Sequence, residues 1–191
     1  MIRAMSIEVW SLAASVGTLV VIAATAIAAM IQLRHMRSSN QITALSKLEE
    51  MWDDPEFTAK RRRVTEGLDE HLRDPAFRIE LENETSDDEF VRAFIAVTNF
   101  FEGMGIYAKH GLADTEVIFD FWSSIIVNSW KRLSPGVAIM RRTSGDLLYE
   151  NFQYLTVAAQ RFLDAHPNGA VPRGAPLAPI EDVWLKVDHP A

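Results

Sequence analysis

The sequence predicts an all-α protein with a single N-terminal transmembrane helix, a compact cytoplasmic domain of five or six helices and a proline-rich C-terminal tail. Residues 9–33 form a run of 25 residues without a formal charge. Downstream, apolar residues recur at steps of three and four, which is the spacing of one face of an α-helix. No alternating apolar and polar pattern typical of β-strands stands out, so we expect helices throughout.

The apolar run of residues 9–33 is long enough to cross a lipid bilayer. At about 1.5 Å per residue a helix of this length extends ~37 Å, and the hydrocarbon core is roughly 30 Å thick. We therefore expect residues 1–8 to lie outside the cytoplasm and the bilayer to be bound through residues 9–33. A cleaved signal peptide is an alternative, because Arg3 and Ala24-Thr25-Ala26 fit parts of its pattern, although the run continues to Leu33. A buried core helix is a second alternative, which would need a far larger protein around it.

The charges that flank the run predict its orientation. Arg34 and Arg37 directly follow it, whereas Arg3 and Glu8 cancel before it. An excess of Arg and Lys favours the cytoplasmic side, so we expect the N-terminus outside and the C-terminal domain in the cytoplasm. Trp10 suits the outer interface, where amphipathic rings are enriched. Small residues within the run leave close pairing with a second copy open.

The composition excludes several classes of function. Residues 1–48 carry a net charge of +3 and residues 49–191 a net charge of −10. An acidic body lacks the clustered Lys and Arg that nucleic-acid binding needs, so we expect no nucleic-acid partner. The chain has no cysteine, which excludes disulfides, thiolate metal ligands and cysteine nucleophiles. No nucleotide-binding loop or metal-ligand spacing is present, so the sequence predicts no cofactor and no metal.

Start and stop signals divide the rest of the chain. Residues 34–52 are expected to form a basic neck and juxtamembrane helix, residues 53–166 the helical domain, and residues 167–191 a Pro/Gly-rich tail with five of the eight prolines. An Asp before a Pro, or before a helical run, predicts a helix start. Such starts lie at Asp54-Pro55, at Asp74-Pro75, at Ser86-Asp87-Asp88-Glu89 and at Asp114. Ser134-Pro135 is expected to begin a separate short helix in the same way.

One helix, from Asp87 to about His110, is expected to form the centre of the domain. It carries a stripe of apolar residues at steps of four and three: Phe90, Phe94, Val97, Phe101 and Met104. Such a stripe is far more often core than a cofactor site, and Gly111 is a suitable left-handed end for the helix. In the next helix, Phe121 is expected to face the core and Ser123 the solvent.

Glu102 is the polar residue of greatest interest, because it lies among the aromatic residues of that central helix. A carboxylate buried there needs a charged or hydrogen-bonding partner. We expect an interhelical ion pair with Arg141, Arg142 or Arg92 that fixes the helix register; the alternative is a general acid or base in a pocket. The candidates for such a pair or pocket are Asn99, Glu102, Trp122, Trp130, Arg141 and Arg142. None of them is expected to be catalytic.

The most basic segment of the domain is Lys60-Arg61-Arg62-Arg63. Successive helical residues are ~100° apart, so these four side chains splay around the axis and cannot form one flat patch. We therefore expect a solvated helix face. Contact with anionic lipid headgroups is the alternative.

Several segments together resemble a known family. They are Phe100-Phe101-Glu102-Gly103-Met104-Gly105, then Lys109-His110-Gly111-Leu112, then Phe121-Trp122 and Trp130. With the short N-terminal span, these residues resemble a bacterial family of small, single-pass membrane-anchored all-helical proteins that is defined only as a domain of unknown function. The resemblance covers most of residues 10–165. It implies a bacterial inner-membrane location and an all-α body, and it supplies no catalytic residues.

These observations favour a membrane-tethered interaction or regulatory module and not an enzyme. We expect it to bind an unknown protein partner or a second copy of itself through helical surfaces. The alternative is a membrane-anchored small-ligand sensor or enzyme with a pocket around Glu102. A soluble secreted domain, released by signal cleavage, is a third class. An open cavity above roughly 300 Å³ around Glu102 would distinguish the sensor or enzyme from the interaction module.

Overall fold

The described residues of the protein form helices and no strand. The structure is a computed structural model that describes residues 7–83, 87–172, 174–175 and 177–188. The helices are α1 (Ile7–Asp53), α2 (Pro55–His71), α3 (Pro75–Asn83), α4 (Glu89–Lys109), α5 (Thr115–Ser144), α6 (Glu150–Ala165) and the four-residue α7 (Leu185–Asp188). The prediction of an all-α fold is confirmed.

Helix α1 is one unbroken helix of 47 residues, about 70 Å long. By length and composition alone it is able to cross a membrane, and none of its most apolar window is buried in the protein. Trp10, Arg34 and Arg37 lie along this exposed part. Contact with the body begins at Arg37, whose guanidinium lies beside Gly111, and continues at Gln41, whose amide donates to the carbonyl of Gly111 at 3.3 Å. The apolar segment and the body are therefore joined by continuous helix.

Aspartates cap the starts of α2, α4 and α5. Asp54 accepts a hydrogen bond from the backbone N–H of Phe57 at 2.8 Å, and Asp114 accepts one from Glu116 at 2.9 Å. Each carboxylate satisfies an N–H that has no partner inside its own helix. At the start of α4 the cap is Asp88, and the predicted capping residue Ser86 lies outside the described residues.

Helix α5 contradicts one prediction, because it continues through Pro135 as a single 30-residue helix. A proline inside a helix removes one hydrogen bond and costs about 3 kcal/mol. Burial on both sides of it offsets this cost, since Leu133, Val137 and Met140 are all buried. Gly136, directly after the proline, lies against the ring of Phe94, where a larger residue would not fit. Tertiary packing therefore overrides the local signal.

The core forms where successive helices lie side by side: α2 on α4, α4 on α6, α6 on α5 and α5 on α3. The predicted stripe of α4 is buried along its full length, as expected. Two assignments on α5 are wrong. Phe121 is 60% exposed and Ser123 only 5% exposed, whereas Phe119, Trp122, Ile126 and Leu133 on the same helix are buried.

Candidate functional site

Glu102 on α4 is held by the first turn of α6. One carboxylate oxygen accepts the backbone N–H of Phe152 at 2.8 Å. The other accepts the side-chain amide of Asn151 at 2.7 Å and the backbone N–H of Asn151 at 3.4 Å. Helix α6 begins after Tyr149, which is left-handed (φ 61°) and whose side chain does not cap the helix. Glu102 therefore supplies from a neighbouring helix the cap that α6 lacks.

Gly105, one turn after Glu102, allows α6 to approach this closely. A Cβ atom at position 105 would collide with the backbone carbonyl of Asn151. At Gly103 the same atom would have no described neighbour within 4 Å. Of the two glycines in Gly103-Met104-Gly105, only the second is required by packing.

The predicted ion pair between Glu102 and an arginine is wrong. Arg141 donates to the carbonyl of Leu148 at 2.9 Å and to Gln153 Oε1 at 3.1 Å. Arg142 pairs with Glu82 at 3.3 Å, and Arg92 pairs with Asp87 at 3.6 Å. The N-terminus of α6 takes the place of the expected cation. Its backbone N–H groups and the positive end of the helix dipole stabilise a carboxylate without a charged side chain.

The other residues predicted around Glu102 do not converge on a pocket. Trp122 is completely buried, and its Nε1 has no hydrogen-bond partner among the described residues. Trp130 packs edge-on against Phe152, with ring centroids 5.0 Å apart. Asn99 is exposed. These residues belong to the core or the surface of a bundle, and the carboxylate of Glu102 is occupied by α6.

A cleft of about 710 Å³ lies elsewhere, where the end of α1 meets α2, α4 and α5. Its size is within the range of small-molecule sites. The apolar part of its wall consists of Trp52, Val64, Val97, Phe101, Ile125 and Leu133. Glu102 does not line it. The sequence did not predict this cleft.

Arg61 forms one end of the cleft. Its guanidinium lies 3.5 Å from the centroid of the Trp52 ring and donates to the Trp52 carbonyl and to Thr58 Oγ1, both at 3.2 Å. Its Nε is buried and has no partner in the described part of the chain. Burial lowers the pKa of the Arg61 guanidinium, and the nearby carboxylate of Asp53 opposes that shift. An arginine remains charged at neutral pH.

Two further cations, Lys131 and Arg132, line the same cleft from α5. Arg132 donates to the backbone carbonyl of Thr65, which ties α5 to α2. Thr65, Asn128 and Ser129 complete the polar wall, and none of the residues that line the cleft is acidic. The cleft therefore joins an apolar wall to three positive charges.

The predicted solvated face is confirmed for Arg62 and Arg63, which are exposed, whereas Lys60 and Arg61 are half-buried. Lys60 pairs with Glu56 at 2.6 Å, Arg62 lies 3.7 Å from Glu66, and Arg63 pairs with Glu89 at 2.7 Å. Arg61 instead packs on the ring of Trp52. A signal was present, because Trp52 and Arg61 flank a predicted helix start and can meet across it. The position of Lys131 and Arg132, some 70 residues later, had no comparable local signal.

Among the residues that the structure describes, no group of three or more His, Cys, Asp or Glu side chains is placed to hold a metal ion.

A comparison with protein-family models gives a match. The model of a family described as "Domain of unknown function (DUF4760)" matches residues 19–158, which include most of α1 and all of the body up to the middle of α6. Searches of curated proteins and of solved structures gave no significant match.

Proposed function

The chain belongs to the DUF4760 family, and from that premise we propose that it is a membrane-tethered interaction or regulatory module. The observation that carries this proposal is the continuity of α1. One helix includes the apolar residues 9–33 and then buries Leu48 to 3% exposure in the body. A body attached in this way is positioned by its anchor, because an unbroken helix transmits rotation and tilt.

We place the span at residues 9–33, with residues 1–8 outside and the body in the cytoplasm of a bacterial cell, at the inner membrane. Arg34 and Arg37 support this orientation, since they are exposed and directly follow the apolar run. Residues 34–52 then form the neck, and residues 167–191 a tail. Val183, Trp184 and Leu185 in that tail are exposed.

Binding fits the body better than catalysis does. The carboxylate of Glu102, the strongest candidate for an acid or base, is used to cap α6. The acidic surface and exposed apolar side chains such as Val117 and Phe121 suit a protein partner or a second copy of the chain. A pocket around Glu102, the basis of the sensor or enzyme alternative, receives no support from these contacts.

Membrane fractionation tests the anchor. The full-length chain is expected to stay in the membrane pellet after carbonate extraction, at its uncleaved mass. Because the natural chain has no cysteine, Ser6→Cys and Asn168→Cys variants each carry one thiol. A thiol reagent that cannot cross the membrane should label position 6 in intact spheroplasts and position 168 only after lysis. Release of the chain by carbonate, or the reverse labelling, contradicts the proposal.

Purification in mild detergent tests the interaction role. We expect either self-association, seen by sedimentation, or one protein partner in fixed stoichiometry. The Phe121→Glu variant should weaken that association, whereas Asp120→Ala, on the neighbouring exposed position, should leave it unchanged. A chain that is monomeric, has no partner and turns over a substrate would contradict an interaction module.

A further inference from the structure

The cleft beside Trp52 has a charge opposite to that of the body around it. Residues 49–191 carry a net charge of −10, yet Arg61, Lys131 and Arg132 line this cleft together without an acidic neighbour in its wall. Three like charges at one cavity repel each other, and the repulsion is relieved when an anion enters. The carboxylate of Asp53, at the end of α1, acts on the Arg61 guanidinium from outside the residues that line the cleft.

The rest of the cleft lining is apolar and partly aromatic. Val64, Val97, Phe101 and Leu133 in this wall are at most 5% exposed, whereas Ile125 and Trp52, on which the Arg61 guanidinium stacks, are half-buried. An inorganic ion would leave the accessible part of this wall, on Trp52 and Ile125, in contact with water. A ligand that covers it as well as the cations gains from both, since burial of apolar surface contributes about 25 cal/mol per Å².

Arg61 also has unused bonding capacity. Its Nε is buried without a hydrogen-bond partner among the described residues, and a buried unsatisfied donor costs free energy. Stacking on Trp52 and hydrogen bonds to the Trp52 carbonyl and Thr58 hold the guanidinium in place. Because Nε is closed to solvent, a carboxylate or phosphate oxygen would meet the terminal N–H groups of this fixed guanidinium.

We propose that this cleft binds a small organic anion: a carboxylate or phosphate monoester that carries a short alkyl or aryl group. The anionic head lies between Arg61, Lys131 and Arg132, and the apolar group lies against Trp52 and Ile125, the half-buried residues of the apolar wall. Thr65, Asn128 and Ser129 offer hydrogen bonds to the remaining oxygens of the head.

The ligand comes from the aqueous phase and not from the bilayer. This step rests on the proposed membrane span. From Leu33 to Trp52 there are 19 residues of continuous α-helix, which is ~28 Å at 1.5 Å per residue. That distance carries the cleft beyond the headgroup layer, which adds only several Å on each side of the hydrocarbon core.

Occupancy of the cleft has a direct route to the anchor. Trp52 lies in the last turn of α1 and packs against the rings of Phe57, Phe100 and Phe101, with centroids 5.5–6.3 Å apart. A ligand on Arg61 touches the residue that fixes α1 to the body. The contact between Arg61 and Trp52 therefore links the occupied cleft to α1, as the proposed regulatory role requires.

The test uses the full-length chain in phosphatidylcholine nanodiscs and four water-soluble probes: hexyl phosphate, inorganic phosphate, hexanol and hexylammonium. Isothermal titration calorimetry measures binding, with empty nanodiscs as the blank. We expect saturable one-site binding of hexyl phosphate, at least tenfold weaker binding of phosphate or hexanol, and none of hexylammonium. The Lys131→Gln and Arg132→Gln variants should each bind hexyl phosphate about tenfold more weakly. Arg62→Gln, one residue from Arg61 but outside the cleft lining, should bind like the natural chain.

Three results would overturn the proposal: no saturable binding of hexyl phosphate, equal binding of hexanol, or an equal loss in Arg62→Gln. Lys131 is exposed, and thermal unfolding confirms that its variant is folded before binding is measured. Nanodiscs with phosphatidylglycerol separate the two sources of the anion. Competition of that lipid with hexyl phosphate overturns the aqueous source.

The anchor and the cleft can fail separately. A chain released by carbonate that still binds hexyl phosphate refutes the membrane tether and keeps the anion site. A chain that resists carbonate and does not bind refutes the anion site alone.

Discussion

The Glu102 contact and the Arg61 cleft both place a charge beside aromatic rings. Only at Glu102 does each charged atom have a hydrogen-bond partner from the described part of the protein. At Glu102, both carboxylate oxygens accept hydrogen bonds from α6. At Arg61, one donor is buried without a partner among the described residues, and two further cations line the same cavity. The difference teaches that a charge satisfied by a helix terminus holds the fold together, whereas unbalanced like charges around a cavity are available to a ligand.

The largest effect on stability is expected from Gly105→Ala, next to the Glu102 contact. The new methyl group collides with the Asn151 carbonyl, so α6 must move away from α4 and Glu102 loses its contacts. Overpacking of this kind costs about 3 kcal/mol of the free energy of unfolding. Urea denaturation of the full-length chain in mild detergent, followed by tryptophan fluorescence, measures it.

Gly103→Ala is the matched control for that variant. Position 103 has no described neighbour within 4 Å of a Cβ atom, and alanine is the better helix former. We expect a gain of about 0.5–1 kcal/mol. Equal effects of the two variants would mean that α6 does not lie against Gly105.

Removal of the carboxylate comes next in size. Glu102→Ala leaves two N–H groups of the first turn of α6 without their acceptor, which should cost about 2 kcal/mol. Glu102→Gln keeps one oxygen acceptor and should cost about half as much. Asp120→Ala, an exposed acid on α5, should change stability by less than about 0.5 kcal/mol. Unchanged stability of Glu102→Gln, together with loss of cellular function, would argue for a functional role.

Arg61→Gln should have a smaller effect on stability and a clear effect on binding. The substitution removes the stacking on Trp52, which lowers stability, and a partly buried charge, whose removal raises stability. We expect a net loss of about 1 kcal/mol of the free energy of unfolding. The neighbouring Arg62→Gln should stay within about 0.5 kcal/mol. The same urea titration compares the two variants. If both cost the same, Arg61 behaves as an ordinary surface residue.

The smallest change is expected for Lys131→Gln. An exposed lysine beside two other cations contributes repulsion, so its loss should leave stability unchanged or raise it by less than about 0.5 kcal/mol. Thermal unfolding at low and high salt checks the cause. Any gain should shrink as salt screens the charges. A clear destabilisation would show that Lys131 holds the fold and is not reserved for a ligand.

Much of the body could be read from local signals. The aspartate caps at Asp54 and Asp114 and the apolar stripe of α4 depend on residues within one or two turns of each other. Pro135 was misread, because its cost is local while the burial that offsets it comes from other helices. Glu102 was recognised as a residue that needs a partner, but side-chain charges alone suggested an arginine. A clue to the true partner was Tyr149, since a helix without a capping residue at its start needs an acceptor from elsewhere.

The sequence by itself determined the helical class, the apolar segment of α1, the starts of α2, α4 and α5 and the core face of α4, because these follow from spacing along one helix. Only the tertiary structure decided that Phe121 is exposed and Ser123 buried, what Glu102 binds, and where the cations collect. Arg61 and Arg132 are 71 positions apart, and their meeting at one cleft depends on how α2 and α5 pack. Helical periodicity is a local property, whereas a binding site is made by residues that the fold brings together from distant parts of the chain.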